Sequence, residues 1–274
     1  MPATYLLFSI PSSPRLHEIL SALLTETGFE GFEEEENILK AYINENDLDI
    51  AAVKGIMDQF HIAGWSYKPV TDRNWNEEWE QSFQPVVITP EVRIRAPFHP
   101  ADPRYRHDLV INPKMAFGTG HHATTSMMME LMMQQNLHNK SVIDYGTGTG
   151  ILAILAEKEG AQKILAFDND PVCVENSVEN LALNDCHRVS VKLGEINNFE
   201  DIRADVVLAN ITRNTIIGTM NQIGSFVPES GLFIASGFIL QDLSSVSLAA
   251  LKSKFHLLAQ LAREQWAAAV FIKY

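Results

Sequence analysis

The sequence predicts an α/β protein in which a small ferredoxin-like α+β domain and a linker helix precede a doubly wound, Rossmann-like sheet of seven mostly parallel strands. The chain has 274 residues, of which 46% are hydrophobic, enough to fill the cores of two domains. From Val110 onward, apolar runs alternate with helical stretches, a pattern typical of a parallel sheet covered on both faces. The segment before it follows the order strand, helix, strand, strand, helix, strand, which is the ferredoxin-like split motif.

The predicted N-terminal domain comprises residues 1–70. Strands are expected at 4–10, 31–36, 39–43 and 64–69, and helices at 16–27 and 48–60. No residue of this domain indicates catalysis. The acidic run from Glu33 to Glu36 is typical of a solvated turn, with contact to a basic partner as the alternative.

Residues 71–104 form a predicted linker. A helix at 74–83 places Trp75 and Trp79 on one face, because residues four apart are neighbours on a helix. We interpret the two indoles as anchors that hold this helix against a domain, and a ligand cage is the alternative. Short strands follow at 86–88 and 92–95, and a proline-rich segment separates them from the next domain.

Residues 105–274 form the predicted Rossmann-like domain. Parallel strands are expected at 141–145, 163–168, 189–193, 204–209 and 231–236, with helices between them. A helix at 240–253 and two strands at 255–261 and 265–273 complete the domain. A tight turn joins these last two strands, which predicts an antiparallel edge.

A glycine-rich turn follows the first parallel strand. Asp144 precedes Gly146, Gly148 and Gly150, and Ile151 opens a helical run. Glycines allow the backbone to approach a cofactor closely, although an ordinary tight turn is the alternative. A dinucleotide site would have its third glycine at the position of Ile151, which disfavours a nicotinamide oxidoreductase. Because Asp144 would repel a pyrophosphate and attract an ammonium group, the pattern favours S-adenosylmethionine as cofactor.

The second parallel strand ends in Asp168, about 20 residues after the glycine turn, where a ribose-binding carboxylate is expected. A carboxylate there can accept hydrogen bonds from both ribose hydroxyls. Asp170 and Pro171 fit the N-cap and first position of the next helix. Asp168 is therefore predicted to be functional and Asp170 structural.

The fourth parallel strand leads into Asn210. In an open α/β sheet the ligand lies beyond the carboxyl ends of the strands, so Asn210 is expected beside the glycine turn. Its side-chain carbonyl could accept a hydrogen bond from an amine and align it for in-line displacement at a methyl sulfonium. The alternative is that Asn210 caps the following helix.

The segment at 115–125 is rich in glycine and hydroxyl side chains and opens the helix before the first parallel strand. Phe117 could cover a ligand, and Thr124 and Thr125 could donate hydrogen bonds to it. Thr119 of the same segment is a further cofactor-binding candidate. His121 and His122 of this segment could suggest a metal site. Their side chains are expected to point in different directions at the start of a helix, and no cysteine or carboxylate lies at ligand spacing, which disfavours such a site.

Composition narrows the classes of function. A formal net charge of −13 and a pI near 5.1 argue against a broad nucleic-acid surface and suit a basic partner. Cys173 and Cys186 are too few and wrongly placed for a disulfide framework or zinc site, and we expect both to be reduced core residues. The chain opens without a basic, apolar leader and has no run long enough for a membrane span, so we expect a soluble, cytoplasmic protein without a membrane partner.

Four motifs together carry a family resemblance, and they lie at 116–125, 144–154, 168–171 and 209–211. They resemble the bacterial ribosomal protein L11 methyltransferases of the PrmA type, within the class I S-adenosylmethionine-dependent superfamily. The first motif is specific to that family, whereas the glycine motif is shared by the superfamily. The resemblance extends from about Trp75 to the C-terminus, and the N-terminal domain follows the family pattern more loosely.

The resemblance implies S-adenosylmethionine contacts at Thr125, Gly146, Asp168 and Asn210, and an N-terminal domain that recognises ribosomal protein L11. It implies methylation of lysine ε-amines, of the N-terminal α-amine, or of both. We further expect a monomer without direct DNA binding. No dedicated general base is expected, and Asn210 is expected to orient the amine. The alternative is methylation of another protein amine or amide, or of a nucleobase nitrogen. Methyltransferases that act on an amide or on a nucleobase nitrogen usually carry Asn-Pro-Pro-aromatic at this position. This chain instead has Asn210 followed by Ile211 and Thr212.

Overall fold

The computed structural model describes residues 5–25, 27–70, 84–112, 117–199 and 202–274. The chain divides into two compact units, Met1–Ser82 and Phe83–Tyr274. The expected linker helix with Trp75 and Trp79 lies outside the described residues. Within the described ranges, no helix is both long and apolar enough to cross a lipid bilayer.

The N-terminal unit has the predicted order of elements. They are β1 (Tyr5–Pro11), α1 (Pro14–Thr25), β2 (Gly31–Glu35), β3 (Ile38–Asn44), a 3-10 turn (Glu45–Asp47), α2 (Ile50–Gln59) and β4 (Ser66–Val70). The strands form an antiparallel sheet in the order β2-β3-β1-β4, which is the ferredoxin-like topology. Alternate residues of β1 and β3 are buried, so one face of the sheet covers the core of this unit.

The second unit begins with a small three-stranded sheet. Its strands are β5 (Val86–Thr89), β6 (Val92–Arg95) and β7 (His107–Val110). β5 pairs antiparallel with β6, and β6 pairs parallel with β7. β7 was not predicted from the sequence, because it is four residues long and the proline-rich segment separates it from its partner β6. Asp108 of β7 accepts hydrogen bonds from both Arg93 and Arg95 of β6.

The main sheet has seven strands, as predicted. In chain order its strands are β8 (Ser141–Tyr145), β9 (Lys163–Asp168), β10 (Val189–Leu193), β11 (Val206–Asn210), β12 (Leu232–Ile239), β13 (Phe255–Arg263) and β14 (Trp266–Lys273). The helices are α3 (Ala123–Met133), α4 (Ile151–Lys158), α5 (Pro171–Leu183), α6 (Arg213–Phe226) and α7 (Leu243–Lys252), with 3-10 turns at Ile196–Asn198 and Leu240–Asp242.

The strand order is β10-β9-β8-β11-β12-β14-β13. The first five strands in this order are parallel to one another. β14 pairs antiparallel with both β12 and β13, so β14 runs against the rest of the sheet and the edge strand β13 runs with it. The antiparallel edge is confirmed, but the last strand of the chain inserts between β12 and β13, which sequence analysis did not foresee. The order reverses between β8 and β11, and this switch point creates a crevice at the carboxyl ends of the two strands.

Two apolar clusters cover the two faces of this sheet. One contains the buried methionines of α3 and the apolar face of α4, and the other contains residues of α6 and α7. Successive strand residues alternate between the clusters, as Val142 and Ile143 do. The sheet is therefore rigidly held from both sides, and its carboxyl edge is a stable platform for a site.

Candidate functional site

A cavity of about 550 Å³ opens at the carboxyl ends of β8, β9, β10 and β11. This volume lies within the range of pockets that bind small molecules and cofactors. Its walls include Phe117, Gly146, Gly148, Asp168 and Asn210, which are five of the residues predicted from sequence. The fold thus brings residues from four separate segments to one crevice.

The glycine turn closes one side of the cavity with bare backbone. Gly146 and Gly148 have φ angles of +72° and +54°, which L side chains rarely adopt. A Cβ atom on Gly146 would lie 2.3 Å from Cγ2 of Ile211, and one on Gly148 would lie 2.3 Å from the carbonyl oxygen of Phe117. Gly150 is the N-cap of α4 and does not line the cavity.

Asp144 ends the apolar part of β8 and is fully buried. Its Oδ2 accepts a hydrogen bond of 2.6 Å from the hydroxyl of Thr147, whereas its Oδ1 has no hydrogen-bond partner among the described residues. Burial raises the pKa of the Asp144 carboxyl to about 7, and the negative charge of Asp168 acts in the same direction. Asp144 is not among the residues that line the cavity.

Asp168 lines the cavity and is held by two backbone amides. Its Oδ2 accepts from the Gly148 amide at 3.0 Å, and its Oδ1 accepts from the Asp170 amide at 3.1 Å. These bonds fix the carboxylate plane and leave lone pairs free for a ligand. Asp170 accepts from the Val172 amide at 2.8 Å and caps α5, with Pro171 as the first residue of that helix, as predicted.

Asn210, at the end of β11, lines the cavity beside the switch point. Its side-chain amide donates to the hydroxyl of Thr125 at 3.2 Å. Its Oδ1 is buried and has no hydrogen-bond partner among the described residues. The N-cap of α6 is Thr212, so Asn210 is not a helix cap.

The loop before α3 contributes Phe117, whose side chain is 53% exposed and borders the cavity. Thr119 does not line the cavity, and its hydroxyl lies 3.3 Å from Nδ1 of His121. Thr125 does not line it either and reaches the site through Asn210. Thr124 is turned away, with its hydroxyl 2.7 Å from Nδ1 of His122.

The two histidines of this loop have separate partners. Nε2 of His121 lies 3.0 Å from the carbonyl oxygen of Gln84. The ring of His122 contacts Phe117 and Trp266 edge to face, with ring centroids 5.2 and 4.8 Å apart. Both histidines are therefore engaged in holding this loop in place.

The part of the cavity that follows β10 was not predicted from the sequence. Gly194 and Glu195 line it, together with Ile196 and Asn197 of the 3-10 turn. The Gly194 amide donates to the carbonyl oxygen of Asp168 at 2.8 Å, which ties this turn to β9. The signal was available, because the rule that ligands lie beyond the carboxyl ends of parallel strands applies to β10 as it does to β11.

Side chains with hydroxyl and thiol groups line the remaining part of the cavity wall. They were not predicted from the sequence either. Tyr145 stacks on Phe167 at 5.0 Å, and burial raises the pKa of its hydroxyl. Thr215 and Thr219 project from α6. Cys173, expected to be a core residue, is instead half-buried in the cavity wall, where burial and Asp168 raise the pKa of its thiol to about 11.

Comparison with known proteins identifies the family. The family model for ribosomal protein L11 methyltransferase (PrmA) matches residues 17–273. The chain belongs to this family. A relative of that name from Porphyromonas gingivalis is 41% identical over 262 residues, which are 93% of this chain and 90% of the relative. Another, from Phocaeicola vulgatus, is 38% identical over 268 residues, 96% and 95% of the two chains.

A crystal structure of a ribosomal protein L11 methylase from Lactobacillus delbrueckii subsp. bulgaricus superimposes with a TM-score of 0.66. It is 25% identical and covers 70% of this chain and 100% of that chain. Membership of the PrmA family makes this chain a methyltransferase whose cofactor is S-adenosylmethionine. The predicted fold class is confirmed as well.

The residues of the cavity fit this cofactor. Gly146 and Gly148 offer backbone where any side chain would collide with its neighbours. The held carboxylate of Asp168 is suited to a ribose, because both of its oxygens are oriented by backbone amides. Asn210 retains a buried oxygen that has no hydrogen-bond partner among the described residues, and such an acceptor is costly unless a ligand or water satisfies it.

Proposed function

We propose that this chain transfers methyl groups to amines of ribosomal protein L11: lysine ε-amines, the N-terminal α-amine, or both. The observation that carries the proposal is the unpartnered Oδ1 of Asn210 in the wall of a nucleoside-sized cavity. An amine nucleophile has the N–H donor that this acceptor lacks. The relatives are ribosomal protein L11 methyltransferases, which supports the choice of L11 as the substrate.

The proposed cofactor site is built around Asp168. Its carboxylate would accept from the ribose hydroxyls, and the backbone of Gly146 and Gly148 would lie against the cofactor. Phe117 would cover the bound molecule from the loop side. Gly150 and Thr119 would support the two loops, while Asp144 would place a carboxylate behind the glycine turn.

The proposed chemistry is direct displacement. S-adenosylmethionine, when bound, supplies a methyl group on a sulfonium centre. Asn210 would accept a hydrogen bond from the attacking nitrogen and so direct its lone pair. Thr125 would keep the Asn210 amide in that orientation by accepting from its nitrogen.

The amine must be neutral to attack. For lysine, with a reference pKa of about 10.4, this costs roughly 4 to 5 kcal/mol at pH 7, and for an α-amine, with a pKa near 8, only about 1 kcal/mol. Desolvation in the crevice and a neighbouring positive charge both lower the pKa of such an amine. We therefore propose that the chain lacks a dedicated general base and that Asn210 orients the amine without removing its proton.

We propose a division of labour along the chain. Residues 1–70 would recognise L11, residues 71–104 would link the two parts, and residues 105–274 would carry out the transfer. The net charge of −13 suits a basic protein partner better than a nucleic acid. We further propose that the enzyme acts in the cytoplasm as a monomer without direct DNA binding.

The test is methylation of purified L11 with labelled S-adenosylmethionine, followed by peptide mass spectrometry. The proposal expects mass increases of whole methyl groups on lysines or on the N-terminus of L11. Total ribosomal protein and ribosomal RNA serve as parallel substrates. Label in RNA, or in ribosomal proteins other than L11, would contradict the proposed substrate, and size-exclusion chromatography tests the monomer.

A further inference from the structure

Three asparagines of α5 and its end are buried on one side of the helix. Asn176 and Asn180 are 0% exposed and Asn184 is 6% exposed, and they follow one another at intervals of four residues. Residues at this spacing share a face. A buried side-chain amide is costly unless its donors and its acceptor are hydrogen-bonded. The hydrogen-bond partners of these asparagines therefore show which segments of the chain they connect.

Asn184 holds the end of β7. Its Oδ1 accepts from the Val110 amide at 2.9 Å, and its Nδ2 donates to the Val110 carbonyl oxygen at 2.6 Å. The side chain thus acts as a substitute for a neighbouring strand. None of these partners belongs to the glycine turn or to the loop that carries Phe117.

Asn180 makes the same kind of bond but reaches two different segments. Its Oδ1 accepts from the amide of Asn112, two residues beyond β7, at 2.8 Å. Its Nδ2 donates to the carbonyl oxygen of Thr149, in the glycine turn, at 2.9 Å. One fully buried side chain therefore joins the chain that leads to the Phe117 loop with the turn that lines the cavity.

Thr149 extends this connection to the loop itself. Its backbone amide donates to the carbonyl oxygen of Phe117 at 3.0 Å, and its hydroxyl donates to that of Gly118 at 2.6 Å. A Cβ atom on Gly148 would lie only 2.3 Å from the Phe117 carbonyl oxygen. The backbones of the loop and the turn are thus in direct contact beside the cavity.

We infer that Asn180 is a positioning residue for the cofactor site. It acts through Thr149 and Asn112, and it fixes the Phe117 loop against the glycine turn at the edge of the cavity that a nucleoside would occupy. The inference rests on the proposed function in one respect, that the cofactor occupies this cavity. Asn180 itself does not line the cavity.

The test compares Asn180→Leu with Asn184→Leu. Both variants remove a buried amide of the same helix side and leave two backbone groups of other segments unpartnered, so both are expected to lose stability. Only Asn180→Leu is expected to weaken S-adenosylmethionine binding in calorimetry, by about tenfold. It is also expected to speed hydrogen exchange at the Thr149 amide, while kcat at saturating cofactor stays within about twofold, because Asn210 and Thr125 are untouched.

A second variant covers the case in which Asn180→Leu does not fold. Thr149→Val removes the hydrogen bond from the Thr149 hydroxyl to the Gly118 carbonyl oxygen and keeps the backbone. A loss of cofactor affinity of about threefold or more is expected. Unchanged affinity in a folded Asn180→Leu, or in Thr149→Val where the first variant does not fold, would overturn the inference. Equal losses of affinity in Asn180→Leu and Asn184→Leu would also overturn it. Failure of the wild-type protein to bind S-adenosylmethionine would instead contradict the proposed function.

Discussion

The side-chain amide of Asn210 donates a hydrogen bond of 3.2 Å to the hydroxyl of Thr125, a residue 85 positions earlier in the chain. The bond joins the end of β11 to the first turn of α3. Because the bond engages the nitrogen of the amide, Oδ1 remains an acceptor without a partner in the described part of the chain. This relationship gives each of the two residues a different expected phenotype.

Asn210→Ala is expected to lower kcat by about 100-fold, the scale of losing one group that acts in the transition state. Cofactor affinity should change by less than about threefold, since Asp168 and the glycine turn remain. Steady-state kinetics with L11 and calorimetry with S-adenosylmethionine measure the two effects. Asn221→Ala, on α6 and outside the cavity wall, is the control, and a kcat equal to that of the wild type in Asn210→Ala would remove Asn210 from the mechanism.

Thr125→Val is expected to lower kcat by about five- to tenfold, because the Asn210 amide loses its fixed orientation while its oxygen remains. The neighbouring Thr124→Val is a matched control, since the Thr124 hydroxyl contacts His122 instead. The double variant Thr125→Val/Asn210→Ala should be no slower than Asn210→Ala alone, because the two residues act as one unit. Additive losses would show that Thr125 acts independently of Asn210.

Asp168→Asn is expected to raise the dissociation constant of S-adenosylmethionine by about tenfold or more, because charge-assisted hydrogen bonds are stronger than neutral ones. Asp170→Asn is the control. It alters the cap of α5, an acceptor position that asparagine fills well, so affinity should stay near the wild-type value. Equal affinities of Asp168→Asn and the wild type would exclude Asp168 as the ribose ligand.

Asp144 should make stability depend on pH. Its pKa rises from the ordinary value of 3.8 to about 7 in the folded state, so the folded chain retains a proton that the unfolded chain has lost between these values. The cofactor-free protein should therefore lose about 1.4 kcal/mol of stability per pH unit, relative to Asp144→Asn, as pH rises from about 5 to about 7. Above the folded pKa this difference should level off.

Urea unfolding of the wild type and of Asp144→Asn at several pH values measures this difference. Subtracting the two curves removes contributions from other carboxyl groups, such as Asp108, whose pKa its arginine partners lower. Parallel pH profiles for the two proteins would show that Asp144 ionises normally in the folded state.

Much of the catalytic part could be read from sequence because its signals are local. The turn around Gly146 needs positive φ angles, and Asp168 and Asp170 have distinct places at a strand end and a helix start, so spacing alone assigned them different roles. Asn210 was placed correctly because the end of a buried strand is visible as the end of an apolar run. β7 and the insertion of β14 were not foreseen, because strand pairing depends on hydrogen bonds between distant segments.

The sequence by itself determined the fold class, the glycine turn and the positions of Asp168 and Asn210 at the ends of β9 and β11. Only the tertiary structure decided that Tyr145, Cys173 and Glu195 share the cavity, that Thr125 reaches it through Asn210, and that Thr119 lies outside its wall. The physical reason is the range of the interactions. Periodicity and backbone preference act between near neighbours in the chain, whereas the partner of a buried amide or carboxylate is chosen by packing between segments that can be 85 residues apart.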